Sequence, residues 1–102
     1  MLFADIAIPV TIDRLFTYTV PEELQPLAKP GVRVLVPFGK RTVIGIILAV
    51  SSTDTTGGVP LKAVRDLVDF EPVLSAEMIE LAKWMSEYYF ASLGDVLKTI
   101  LF

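Results

Sequence analysis

The chain has neither cysteine nor histidine in its 102 residues. Without cysteine there is no disulfide framework and no thiol chemistry. Without histidine the commonest metal ligand and the usual general base at neutral pH are both missing. Serines 51, 52, 75, 86 and 92 therefore have no imidazole to activate them. The expectation is a chain with no catalytic residues and no metal site. No apolar run approaches the ~20 residues of a membrane helix, because Arg33, Lys40, Arg41 and Lys62 interrupt the candidates. Nor does Met1 open a basic start and long apolar stretch of the kind a signal peptide has. No membrane partner is expected. Gly57-Gly58 is not followed by a helix with Lys-Ser or Lys-Thr, so no nucleotide fingerprint is present. Cations are also short: nine Lys and Arg against twelve Asp and Glu, net −3. Broad affinity for duplex DNA rests on many phosphate contacts, and that balance argues against it. A few placed cations can still make a local site.

What is abundant is apolar. Hydrophobic residues make up 53% of the chain, and the mean hydropathy is +0.60. That exceeds the usual share for a globular domain. At 102 residues the chain reads as one domain with a single core. The surplus predicts an apolar surface that another domain covers. Val96 to Phe102 ends apolar, with no polar tail, and reads as the edge of an N-terminal domain cut from something larger.

The first two thirds are patterned for strands. Leu2 to Ile8 alternates up to Pro9, Phe16 to Val20 alternates up to Pro21, and Gly31 opens a strand over Val32 to Val36. Glu22 to Pro30 reads as a loop. Thr42 to Val50 is nearly continuous apolar, so it is buried on both faces or curved, with a bend or bulge expected at Gly45. Residues 51–58 form a polar loop, and Leu61 to Val68 gives a fifth strand. Asp66 and Asp69 could pair, but read better as a solvated strand edge. Ser75 is an N-cap with Glu77 in the first turn. Met78, Leu81, Ala82, Met85 and Tyr88 or Tyr89 then make the apolar face of a helix. Glu80, Lys83 and Glu87 share its other side, and Trp84 packs in the core or serves an interface. Ser92 with Asp95 signals a second helix faced by Leu93, Val96, Leu97 and Ile100. The predicted fold is mainly β with α: a small curled sheet or partly open β-barrel of about five or six strands with a C-terminal helical cap.

One stretch stands out for function. In Val34-Leu-Val-Pro-Phe-Gly-Lys-Arg41 a strand stops or bulges at Pro37. Gly39 lets a ligand approach bare backbone. Phe38, Lys40 and Arg41 suit a tip that stacks on a base or touches a phosphate. An ordinary hairpin tip with solvated cations has the same sequence. Phe16 can equally be a core strand residue, and Lys62 a solvated cation. A barrel tracking single-stranded DNA would need more aromatics along its strands and a longer basic groove than Phe16, Tyr18 and Phe38 provide. The competing class is a docking or scaffold domain that makes no DNA contact and binds protein through its apolar helical end.

Several motifs in order carry a resemblance. They are Ile8-Pro9-Val10, Arg14-Leu15-Phe16-Thr17-Tyr18, Val20-Pro21-Glu22 and Pro30-Gly31-Val32-Arg33-Val34. Then come Val36-Pro37-Phe38-Gly39-Lys40-Arg41, Gly45-Ile46-Ile47, Leu61-Lys62, Trp84-Met85-Ser86-Glu87-Tyr88-Tyr89 and Leu93-Gly94-Asp95-Val96-Leu97. Over nearly its whole length the chain resembles the N-terminal 3′-DNA-binding domain of the bacterial primosomal protein N′ (PriA) family of replication-restart helicases. The resemblance implies a domain that is not itself an enzyme. It implies capture of the 3′ terminal nucleotide of the nascent leading strand at an abandoned fork. The terminal-nucleotide pocket carries over to Phe16, Thr17, Gly39 and Lys62, with Lys40 and Arg41 available to backbone phosphates. The implied partners are DNA with a free 3′ end, the remaining domains of an ATP-dependent 3′-to-5′ helicase, and primosome proteins. No cofactor is implied for this chain; ATP with magnesium and structural zinc belong to the parts of the family's protein that lie beyond it. The implied setting is the bacterial cytoplasm, at the nucleoid. The family commonly has an acid where this chain has Thr17. A hydroxyl can donate and accept but brings no charge to a 3′-hydroxyl.

Overall fold

Pro37 was expected to end or bulge its strand, and instead sits inside one. In a computed structural model, strand β3 (Arg33–Phe38) runs through it, pairing Pro37 with Thr42 and Phe38 with Arg41 of β4 (Arg41–Ser51). The carbonyls of Arg33 and Leu35 bond away from β4, to Val68 and Arg65. By the two-residue period Pro37 faces that same side, so its missing N–H removes no bond to β4. The structure describes residues 1–9, 14–54, 56–88 and 92–101; Val10, Thr55, Tyr89, Phe102 and the side chain of Ile100 lie outside the described set.

Three more strands complete the sheet: β1 (Leu2–Ala7), β2 (Phe16–Val20) and the short β5 (Asp66–Leu67). The order is β2-β1-β4-β3-β5, and neighbouring strands run antiparallel. The sheet does not close into a barrel. The expected long fifth strand is cut down because its residues change partner. Lys62 and Val64 bond to Thr19 of β2, then Arg65 bonds to Leu35 of β3. The expected loop after β2 contains a 3-10 helix, Glu22–Leu27.

Alternation sends side chains to two faces. One carries Ala4, Ile6, Ile8, Tyr18, Val20, Val32, Val34, Val36, Ile47 and Val64. The other carries Ala7, Ile46 and Leu48 beneath two helices, α1 (Ala76–Tyr88) and α2 (Leu93–Leu101). The centre of β4 is thus buried on both faces, as its continuous apolar run required. The bulge falls at Leu48 rather than Gly45, since Asp5 faces Ala49 while Ile6 faces Ile47. Gly45 instead makes room for Ile6 and the Ala7 carbonyl, which a Cβ would meet.

Both helix caps form as expected: Ser75 Oγ accepts from the Met78 amide at 3.2 Å, and Ser92 Oγ from the Asp95 amide at 3.1 Å. The buried face of α1 differs from the expected one. Ile79 and Ala82 are buried, with Met85 partly so, whereas Met78, Leu81, Trp84 and Tyr88 are 43–61% exposed. The helix is turned by about one residue, roughly 100°. The slim Ile79–Ala82 edge lets α1 approach the sheet and α2, and the bulkier stripe stays outside. Trp84 stacks on Tyr88 at 5.0 Å instead of entering the core. Asp69 is no solvated edge either. It takes the Arg33 guanidinium at 3.0 and 2.9 Å and the Arg33 amide at 3.0 Å. Those bonds hold the Asp69 carboxyl below its ordinary range, against the opposing effect of burial.

Candidate nucleic-acid interface

A cleft of about 400 Å³ opens where the start of β2, the β3–β4 turn and residues 56–62 meet. Its walls follow from local sequence. Gly39 and Lys40 make a two-residue hairpin turn, with Gly39 at φ +63°, the left-handed value such turns need at their first position. A Cβ built on Gly39 would meet nothing within 4 Å, so the backbone there is bare. The hydroxyl of buried Tyr18 donates to the Pro37 carbonyl at 2.7 Å, fixing β2 to this turn; burial pushes that hydroxyl's pKa up. Phe16 and Phe38 meet edge to face, with centroids 5.2 Å apart.

The opposite wall is the chain after the polar loop. The Asp54 carboxylate accepts from the Thr56 amide at 2.8 Å and from its hydroxyl, which tightens the loop and lowers the carboxyl's pKa. Thr56 and the run Val59-Pro60-Leu61-Lys62 then line the cleft. The Lys62 carbonyl accepts from the Thr19 amide at 3.0 Å, so backbone fixes the position of this wall. The exposed Lys62 side chain is free of that duty.

Phe16, Thr17, Gly39 and Lys62 all line this one cleft. Lys40 and Arg41 are exposed in and after the turn and stand beside the lining rather than in it. Sequence reasoning missed Arg14, which lines the cleft with its guanidinium 4.7 Å over the Phe16 ring centroid. Its two-residue offset from Phe16 was the available signal. Residues Thr56, Val59 and Pro60 were also missed, because nothing in a polar loop says where it folds back.

Thr17 behaves in an unexpected way. Its hydroxyl donates to the Asp5 carboxylate across the β1–β2 pair at 2.8 Å. Alternation puts that contact on the face away from Phe16 and Tyr18. The outward backbone of Thr19 bonds to Lys62 and Val64. Thr17, two residues earlier, turns its N–H and C=O to the same open edge. Among the described residues no backbone group bonds to them. A donor and an acceptor are therefore presented at the cleft by main chain.

Among the described residues the lining contains Arg14 and Lys62 and no acid, in a chain of net charge −3. An apolar aromatic wall, bare backbone and two cations suit a nucleotide with its phosphate. Among the described residues no three His, Cys, Asp or Glu gather as metal ligands, and no helix is long and apolar enough to cross a membrane.

The family model of the 3′DNA-binding domain (3′BD) of PriA matches residues 5–101. The replication restart protein PriA of Bacillus subtilis (strain 168) is 40% identical over 90 residues, covering 85% of this chain and 11% of that protein. That of Haemophilus influenzae is 33% identical over 97 residues, covering 95% of this chain and 13% of its own length. That of Buchnera aphidicola subsp. Schizaphis graminum is 26% identical over 101 residues, 99% of this chain and 14% of its own length. The chain thus spans about an eighth of the length of these relatives. With the family model covering nearly all of it, the chain belongs to the PriA 3′DNA-binding domain family.

Proposed function

We propose that the cleft holds the 3′ terminal nucleotide of a nascent leading strand at a stalled or abandoned replication fork, positioning a replication-restart helicase that leads to primosome assembly. The observation that carries this reading is that Phe16, Thr17, Gly39 and Lys62 meet in one cleft whose described lining holds two cations and no acid, in an otherwise acidic chain. Phe16 gives an apolar wall. The Gly39 backbone allows close approach, and Lys62 neutralises the last phosphate. The Thr17 main chain offers its N–H and C=O to the base or sugar, while its hydroxyl, committed to Asp5, can only accept. Lys40 and Arg41 meet phosphates further along the strand. None of these groups reads a unique base edge, so base preference is weak.

The test is fluorescence anisotropy with two oligonucleotides that differ only in a free or phosphorylated 3′ end. The free end should bind more tightly, since a phosphate adds charge and bulk where a closed end-pocket expects a small hydroxyl. Equal affinity would replace end capture with groove binding.

A second role is favoured by the exposed stripe Met78, Leu81, Trp84 and Tyr88. We propose that it docks the remaining helicase domains of a longer polypeptide, as the eighth-length coverage of the relatives suggests. Exposed Glu77, Glu80 and Glu87 border the stripe and call for a basic surface opposite. ATP with magnesium, structural zinc, ATP-dependent 3′-to-5′ unwinding and contacts with primosome proteins belong to those further parts. The setting for all of this is the bacterial cytoplasm, at the nucleoid.

A further inference from the structure

Arg14 is the charged group of the cleft to which the terminal-nucleotide reading gives no task. It is exposed, lines the cleft, and carries its guanidinium 4.7 Å over the Phe16 ring. Among the described residues it forms no ion pair, while Arg33 and Lys83 do. A cation held over a ring gives up part of its side-chain freedom before any ligand arrives. With no acid partner among the described residues, its charge and its planar fork of donors point to a role outward.

The size of the cleft decides what that fork meets. About 400 Å³ lies at the lower end of ligand pockets, room for one nucleotide rather than two. A bound strand must leave through the mouth, and its next phosphate then passes the rim. Lys62 stands on the wall formed by residues 56–62, and Arg14 stands at the entrance to β2. Two cations on two walls suit two successive phosphates better than one. We propose that Arg14 forms a second subsite, for the penultimate nucleotide, with its guanidinium on that nucleotide's phosphate. This rests on the end-capture reading above. The domain then grips a dinucleotide end: Lys62 on the last phosphate, Arg14 on the one before.

The experiment measures displacement of a labelled oligonucleotide by the 5′-phosphorylated mono-, di- and trinucleotides pN, pNpN and pNpNpN, each with a free 3′-hydroxyl. For the unaltered domain the largest gain in affinity should come between pN and pNpN, roughly tenfold, the usual worth of one phosphate or stacked-base contact. Arg14→Gln keeps a stem over Phe16 but removes the charge. It should abolish that gain, lower the salt slope of oligonucleotide binding by about 0.7, and leave pN affinity unchanged. Arg14→Lys should keep the slope and recover only part of the gain, having charge without the fork. Circular dichroism of each variant checks that it folds. The proposal is overturned if Arg14→Gln keeps the pN-to-pNpN gain, or weakens pN as much as pNpN, which would make Arg14 a support for Phe16 alone. Comparing free and phosphorylated 3′ ends on the unaltered domain separates the two ideas. Loss of that preference overturns end capture, while the length step still reports on Arg14.

Discussion

At the cleft, Phe16 and Phe38 are half-buried, and the charges beside them are Arg14 and Lys62. Along α1, Leu81, Trp84 and Tyr88 are more than half exposed, and the charges beside them are Glu77, Glu80 and Glu87. The two surfaces set the same kinds of side chain among charges of opposite sign. An aromatic among cations suits a polyanion with flat bases, whereas an aromatic among carboxylates repels one. The net charge of −3 therefore conceals a division of the molecule that the whole-chain sum cannot report. Behind the division lie two separate clusters, one on each face of the sheet, meeting at β4.

The largest way to break the comparison is to unseat the helical end. Leu97 is fully buried among Ala7, Ile46, Ile79 and Ala82. Leu97→Ala should cost about 2–5 kcal/mol of stability, read by urea denaturation. The folded fraction should still bind a 3′ end normally, since no residue of that cluster lines the cleft. Loss of binding by fully folded protein would mean the two regions are one unit.

Next comes Asp69, which ties the chain after β5 to Arg33 of β3. Asp69→Asn removes a bidentate, charge-assisted contact and should cost about 1–3 kcal/mol. The folded carboxyl sits below its ordinary value. Its contribution is thus complete above the unfolded value near 3.9 and fades as pH falls through the lower, folded one. The unaltered domain should lose stability in that acid window, and Asp69→Asn should lose less of it. Parallel acid limbs in pH-dependent thermal melts would show the pair contributes nothing measurable.

A smaller effect sharpens the contrast. A buried tryptophan would cost several kcal/mol on truncation, but Trp84 is 53% exposed and its ring contact is with Tyr88. Trp84→Ala should cost about 1 kcal/mol or less in the isolated domain. A cost of 3 kcal/mol or more would put Trp84 in the core after all.

Trp84 also marks where the sequence stopped being legible. Strand positions could be read because period-2 patterning was bounded by Pro9, Pro21 and Gly31, and the caps because Ser75 and Ser92 precede periodic runs. The face of α1 could not, because that helix carries two apolar stripes, and only the packing against β4 and α2 chooses Ile79 and Ala82. Pro37 was misjudged because its tolerance depends on which side of the ladder it faces, a matter of register. For the cleft, Phe16, Gly39 and Lys62 were found through ordered motifs, while Thr56 and Val59 come from a fold-back that no local pattern announces. The Thr17–Asp5 contact joins residues 12 apart in sequence and becomes visible only once β1 and β2 are in register.

The last and smallest effect on stability belongs to the residue expected to matter most for DNA. Lys62 holds its wall through its carbonyl, bonded to the Thr19 amide, and its side chain is exposed. Lys62→Ala keeps that backbone bond and removes a lone surface cation, worth little to folding. Melting should barely shift. Binding should behave differently: affinity for a 3′-ended oligonucleotide falls, and the slope of log affinity against log salt flattens by about 0.7, one single-strand phosphate. Charge on the acid-bordered face of α1 supplies the control. Lys83→Ala removes a cation paired with Glu80 at 3.4 Å and should leave both affinity and slope untouched. If Lys62→Ala and Lys83→Ala lower the slope equally, the DNA senses net charge rather than a cleft, and the contrast between the two surfaces has no bearing on function. If only Lys62→Ala does so, one cation out of nine is doing what its position on the cleft wall predicts.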